Sequence, residues 1–106
     1  MKDKQDEGIL SDVMRLTIIY REKSEHAREV EKFVEMMRRH NPDKKAELEN
    51  VDTREGAAAA SLYGVMQYPA IIITTFDGRV MFHEEGLPMP IVGQVAGQLQ
   101  STPVAV

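Results

Sequence analysis

The sequence predicts one α/β domain in which a four-stranded mixed sheet is flanked by three helices, in the order β-α-β-α-β-β-α. Three observations carry that reading. Short, nearly continuous apolar runs at 16–20 and 70–75 have the character of strands covered on both faces. Between and after them, apolar residues recur at spacings of three and four, the pattern of a helix with one buried face. An Asp77-Gly78 pair separates the last two strand-like runs, which marks an antiparallel hairpin, whereas the earlier strand-helix-strand order demands a parallel pair.

Bulk properties narrow the field. At 106 residues the chain has a common single-domain size, enough to bury a core without disulfides or metal. It is 42% hydrophobic and 28% charged, which argues against a disordered or fibrous body. The formal net charge is −4, and the basic residues are interspersed with acids, so no basic stripe marks a nucleic-acid partner. Residues 1–8 are polar and charged where a secretory leader needs an apolar core, and no apolar run approaches the ~20 residues that span a bilayer. A cytoplasmic protein with no membrane partner is expected.

Residues 1–13 mix charges with Gly8 and Ser11 around a brief Ile9-Leu10 step and read as a flexible N-terminal tail, with order beginning near Met14. Leu16-Thr17-Ile18-Ile19-Tyr20 is the first strand. Over 24–40 the residues Ala27, Val30, Phe33, Val34 and Met37 line one helical face, and the opposite, charged face reads as solvated surface. Ser24 is the expected N-cap, Glu25 suits the first turn, Arg38 and Arg39 suit the last, and Asn41-Pro42 supplies the stop.

Residues 46–51 read as the second strand, parallel to the first through a right-handed crossover. Thr53 or Asp52 can cap a second helix that runs through Ala57-Ala58-Ala59-Ala60 and ends near Gly64. Runs at 70–75 and 79–83 flank the Phe76-Asp77-Gly78 turn. After Gly86-Leu87-Pro88, a last helix carries Ile91, Val92, Val95, Ala96 and Leu99 on one face, with Pro90 in its first turn. Gly93 and Gly97 each cost about 1 kcal/mol in helix propensity relative to Ala, which implies a close approach. Packing on the domain's own sheet is the expected reason, and contact with a second copy is the alternative, so the chain is read as a monomer or weak dimer. The domain is placed at 14–100, with 101–106 as a C-terminal tail.

Val51-Asp52, Leu62-Tyr63-Gly64-Val65, Tyr68-Pro69-Ala70, Asp77-Gly78-Arg79-Val80 and Gly86, in this order and spacing, resemble the thioredoxin-like superfamily, which includes the thioredoxins and glutaredoxins. The resemblance spans about residues 14–100. It implies a cis peptide bond before Pro69, a bond whose cost X-Pro sequences cut to below ~1 kcal/mol. It also implies that Tyr68 offers its backbone to an extended peptide or to glutathione. The family's C-x-x-C pair sits between the first strand and the first helix. Here that place holds Lys23-Ser24-Glu25-His26-Ala27, with Ser24 and Ala27 in the cysteine positions, or their neighbours if the loop shifts by one. The buried acid of some thioredoxins is also missing, since Thr17 is the one polar group within 16–19.

The chain contains no cysteine, so it has no thiolate to attack a disulfide. The resemblance brings the loops 22–26, 66–69 and 86–87 to one edge, which makes Ser24, His26, Met66, Tyr68, Pro69, Gly86 and Leu87 the candidate peptide- or ligand-binding residues. Met66, Tyr68 and Leu87 offer adaptable apolar contact, or simply pack the rim. No catalytic residue, metal or cofactor is expected. Ser24 and His26 stand two apart near a helix start, with no acid fixed behind the histidine. In His83-Glu84-Glu85 successive residues face opposite sides of a strand, so at most two converge. His26 and His40 lie about 20 Å apart along one helix.

The leading functional expectation is therefore a redox-inactive thioredoxin-like protein that acts as a protein-interaction, chaperone or assembly module through the groove beside Pro69. A dedicated maturation factor or a structural subunit would read the same way. The alternative is a glutathione-binding, transferase-like or peroxide-related activity with Ser24 or Tyr20 in place of cysteine. Against it stands the lack of room for the helical second domain that glutathione transferases add.

Overall fold

The computed structural model describes residues 14–100, so the tails expected at 1–13 and 101–106 lie outside the described residues. Its strands are β1 (Met14–Tyr20), β2 (Ala46–Asn50), β3 (Ala70–Thr75) and β4 (Val80–Glu85). The helices are α1 (Ala27–His40), α2 (Arg54–Leu62) and α3 (Val92–Gln100). The chain order is the β-α-β-α-β-β-α read from the sequence. In the sheet the order is β2-β1-β3-β4, with β1 parallel to β2, antiparallel to β3, and β3 antiparallel to β4.

The near-continuous apolar character of β1 and β3 follows from their central places. Alternate residues of a strand face opposite sides, so a strand covered on both faces needs apolar side chains at every position. Leu16, Ile18, Tyr20, Ile71 and Ile73 point to one side, where Val30, Phe33 and Met37 of α1 and Val95 and Leu99 of α3 cover them. Ile19, Ala70 and Ile72 point to the other, against Ala60 of α2 and the half-buried Val51, Val65 and Tyr68. Fully burying one such aliphatic side chain is worth roughly 1.5–3 kcal/mol, so these two layers supply the main driving force.

Three local expectations are corrected. The first helix begins at Ala27 instead of Ser24, and no side chain caps it. The Ser24 hydroxyl donates instead to the Arg21 carbonyl at 2.6 Å, because the loop folds back before the helix starts. The last helix begins at Val92, leaving Pro90 outside, and Ile91 is 75% exposed instead of joining the core. The Ile91 carbonyl accepts from the Gln94 and Val95 N–H groups, which fixes the start of α3 by backbone alone. Finally, Gly93 and Gly97 do not pack on the sheet: a methyl group added at either would meet nothing within 4 Å.

The close approach lies at Gly56, in the first turn of α2. A Cβ there would sit 1.8 Å from the Asn50 carbonyl oxygen. Thr53, one of the two expected caps, creates this contact: its hydroxyl donates to Asn50 O at 2.7 Å and accepts from the Gly56 N–H at 2.9 Å. The end of β2 and the start of α2 are thereby pulled together until only glycine fits.

The two kinds of glycine should respond oppositely to alanine. Gly56→Ala forces backbone apart and should cost about 1–3 kcal/mol. Gly93→Ala meets open space and should add up to about 1 kcal/mol through helix propensity. Urea midpoints of the two variants check both signs.

Candidate functional site

The loops that leave the C-terminal end of β1, precede β3 and follow β4 meet at one edge of the sheet. Pro69 sits directly before β3 and is fully buried. The Tyr68–Pro69 and Leu87–Pro88 peptide bonds are both cis. The Pro69 carbonyl accepts from the Gly86 N–H at 2.8 Å, tying the loop after β4 to the loop before β3.

The last residue of β4 makes a second and stronger tie. One oxygen of the Glu85 carboxylate accepts from the Met66 and Gln67 backbone N–H groups, each at 3.1 Å. Its other oxygen lies 2.7 Å from His83 Nε2, on the same strand face. Burial raises the Glu85 pKa, but the hydrogen bonds from His83 and from the two N–H groups outweigh it and hold the carboxyl below its ordinary value. Backbone conformation requires glycine at 86, and the Gln67 side chain closes over the space a Cβ would take. The Gly86 φ is +81°, and a Cβ would come within 2.7 Å of Gln67 Oε1.

Arg21 organises the other wall. Its N–H donates to His26 Nε2 at 3.0 Å, and its carbonyl accepts from Ser24. Its guanidinium reaches Asp52 at 2.6 Å and lies 5.9 Å from the centre of the Tyr68 ring. Asn50 Oδ1 accepts from the Glu22 and Asp52 N–H groups at 3.1 and 3.3 Å. Because His26 Nε2 is an acceptor, the proton of the neutral ring resides on Nδ1. Burial first, and the Arg21 charge second, push the His26 pKa down.

Between these walls runs a shallow groove lined by Glu25, His26, Met66, Gln67, Tyr68, Gly86 and Leu87. It brings together five of the residues named from sequence: His26, Met66, Tyr68, Gly86 and Leu87. Ser24 is not part of the lining, and Pro69 lies buried beneath it. Glu25 and Gln67, within the loops 22–26 and 66–69 expected at this edge but not singled out, complete the lining, and Glu85 and Arg21 hold it in shape. The i,i+2 spacing of His83 and Glu85 was the available signal for the first of these.

The groups present limit the chemistry. Ser24 and His26 both bond to the Arg21 backbone, one to its carbonyl and the other to its N–H, instead of to each other. Tyr20 is 6% exposed, and burial, followed by Glu22 and Glu31, raises its phenol pKa. Neither hydroxyl is primed as an anion. Among the described residues, no three His, Asp or Glu side chains cluster to hold a metal ion. No described helix is long and apolar enough to cross a membrane.

No family model matches the sequence, and no curated protein matches it. Solved structures do. The germline-specific thioredoxin Deadhead of Drosophila melanogaster superposes with a TM-score of 0.65 at 16% identity, covering 92% of this chain and 88% of that one. Mitochondrial thioredoxin 3 of Saccharomyces cerevisiae gives 0.65 at 13% identity, over 93% and 88%. Thioredoxin O2 of Arabidopsis thaliana gives 0.63 at 12% identity, over 90% and 84%. The fold is thioredoxin-like. At such identities the likeness concerns architecture alone, and this thioredoxin-like domain carries Lys23-Ser24-Glu25-His26-Ala27 between β1 and α1, with no cysteine anywhere in the chain.

Two predictions concern this site. Glu85→Gln removes the charge that holds the loop, so the Met66 and Gln67 amides should exchange about ten-fold faster, equivalent to ~1.4 kcal/mol of lost charge-assisted hydrogen bonding. Unchanged exchange would place the restraint elsewhere.

The second concerns pH. The His26 pKa is lower folded than its ordinary 6.5, so as pH falls through that value the unfolded chain binds the proton first. Stability is therefore complete above 6.5 and declines below it. Urea midpoints between about pH 7.5 and pH 5.5 should fall in the wild type and flatten in His26→Asn. The depressed Glu85 carboxyl adds its own loss only at lower pH, on titration through the carboxylate range.

Proposed function

We propose that this thioredoxin-like domain is a redox-inactive module that binds an extended segment of a partner protein in the groove beside Pro69, in a chaperone or assembly role. The observation that carries the reading is a supported groove with two apolar side chains at its rim, in a chain with no thiol. Met66 and Leu87 are 83% and 53% exposed at its rim, although the backbone beneath them is fastened by Glu85 and Gly86. Large apolar side chains held outward on a fixed backbone lower the ordering cost of binding. Methionine and tyrosine add a surface that adapts to different sequences.

Disulfide exchange is excluded by chemistry, since no other side chain replaces the thiolate in that reaction. An enzyme that uses Ser24 or Tyr20 gains no support from a hydroxyl bonded to a backbone carbonyl or from a phenol that burial keeps protonated.

The test uses a permanently unfolded probe, reduced and carboxymethylated α-lactalbumin, added to the isotope-labelled protein. Saturable amide shifts confined to 21–26, 66–69 and 85–87, and abolished in a folded Met66→Asp, Leu87→Asp double variant, are expected. Shifts that survive the double variant, or none at millimolar probe, would refute the reading.

A further inference from the structure

We infer that the groove selects segments carrying a lysine or arginine beside an apolar residue, an inference that rests on the groove being a peptide site. The argument is a balance of the charges that face it. Of its lining residues, only Glu25 is formally ionised, because burial and Arg21 keep His26 neutral near pH 7. The Arg21 guanidinium is occupied by Asp52 at 2.6 Å. The Glu85 carboxylate is occupied by His83 and two backbone N–H groups.

What is left for a ligand is the Glu25 carboxylate, exposed and with no ion-pair partner among the described residues. On the same loop Glu22 and Lys23, also exposed, offset one another. The surplus charge at the groove is therefore negative, and the whole chain, at −4, adds to the sign. Met66 and Leu87 line the same groove as this carboxylate, so a segment with one cationic and one apolar side chain meets complementary partners there.

The same balance separates a peptide from glutathione. Reduced glutathione carries two carboxylates and one ammonium at neutral pH, so its net charge has the sign of the groove. A guanidinium or lysine free to receive those carboxylates is missing from the lining. An extended basic and apolar segment fits where the acidic tripeptide does not.

The experiment uses two fluorescent twelve-residue peptides with a shared leucine core, flanked by lysines in one and glutamates in the other. Anisotropy is read with the wild type and with Glu25→Lys, a change at an exposed loop position that makes no bond within the described chain. The lysine peptide should bind the wild type about ten-fold more tightly, with the gap shrinking as salt rises, and Glu25→Lys should reverse the order.

Equal affinity of both peptides, with shifts still confined to the groove, would overturn the charge selectivity and leave the peptide site standing. If neither peptide nor the unfolded probe shifts the groove amides, both readings fall together. Saturable binding of reduced glutathione in the groove would overturn the selectivity in a third way.

Discussion

The structure depends on β1 being an interior strand that serves two layers at once. Its parallel bond to β2 and antiparallel bond to β3 put it in the middle of the sheet, and its alternating side chains anchor α1 and α3 on one side and α2 on the other. From Leu16 to Tyr20 that duty leaves no room for charge: Thr17 is the single polar residue between them, and the strand's one charged side chain, Arg15, lies exposed near its start. The strand also determines where irregular backbone goes. The chain leaves β1 at Arg21, next to the place where the chain enters β3 through Pro69, and the groove is what remains between those two ends.

Polar groups at this edge are spent on construction. In a thioredoxin-like architecture the turn after the first strand faces the proline before the third, so groups placed there are well sited for chemistry. Here the serine, the histidine and the arginine bond to one another's backbone or to Asp52, and the glutamate after the hairpin holds a loop. Polar atoms with partners inside the chain are stable at the cost of reactivity. The exposed side chains that line the groove are a thioether, an aliphatic side chain, an amide and one carboxylate.

The fold was legible because its signals are local and periodic. The near-continuous apolar runs of β1 and β3, the three-and-four spacing of Val30, Phe33 and Met37, the Thr53 cap and the Asp77-Gly78 turn each span a few residues and each point to one element. The site was legible in its lining but not in its fastening. Glu85 reaches amides 18 and 19 residues away, and Arg21 reaches Asp52 across 31, distances at which single-sequence patterns carry no information. Ser24 misled for a related reason. A serine ahead of an amphipathic run favours a cap, but its hydroxyl found a carbonyl three residues back first. The Gly93 and Gly97 pair misled because a small residue in a helix records what a position lacks, and a bare surface lacks the same thing as a tight crossing.

Those two glycines bear on how the domain opens. α3 gives up helix propensity twice and, within the described chain, fills neither gap with packing, so Val92, Val95, Ala96 and Leu99 hold it to α1 and the sheet. When α3 lifts, it uncovers part of the apolar layer formed by Leu16, Ile18 and Ile73. The domain thus holds a second apolar surface, closed at rest by a helix that tertiary packing, and not its own propensity, keeps in place.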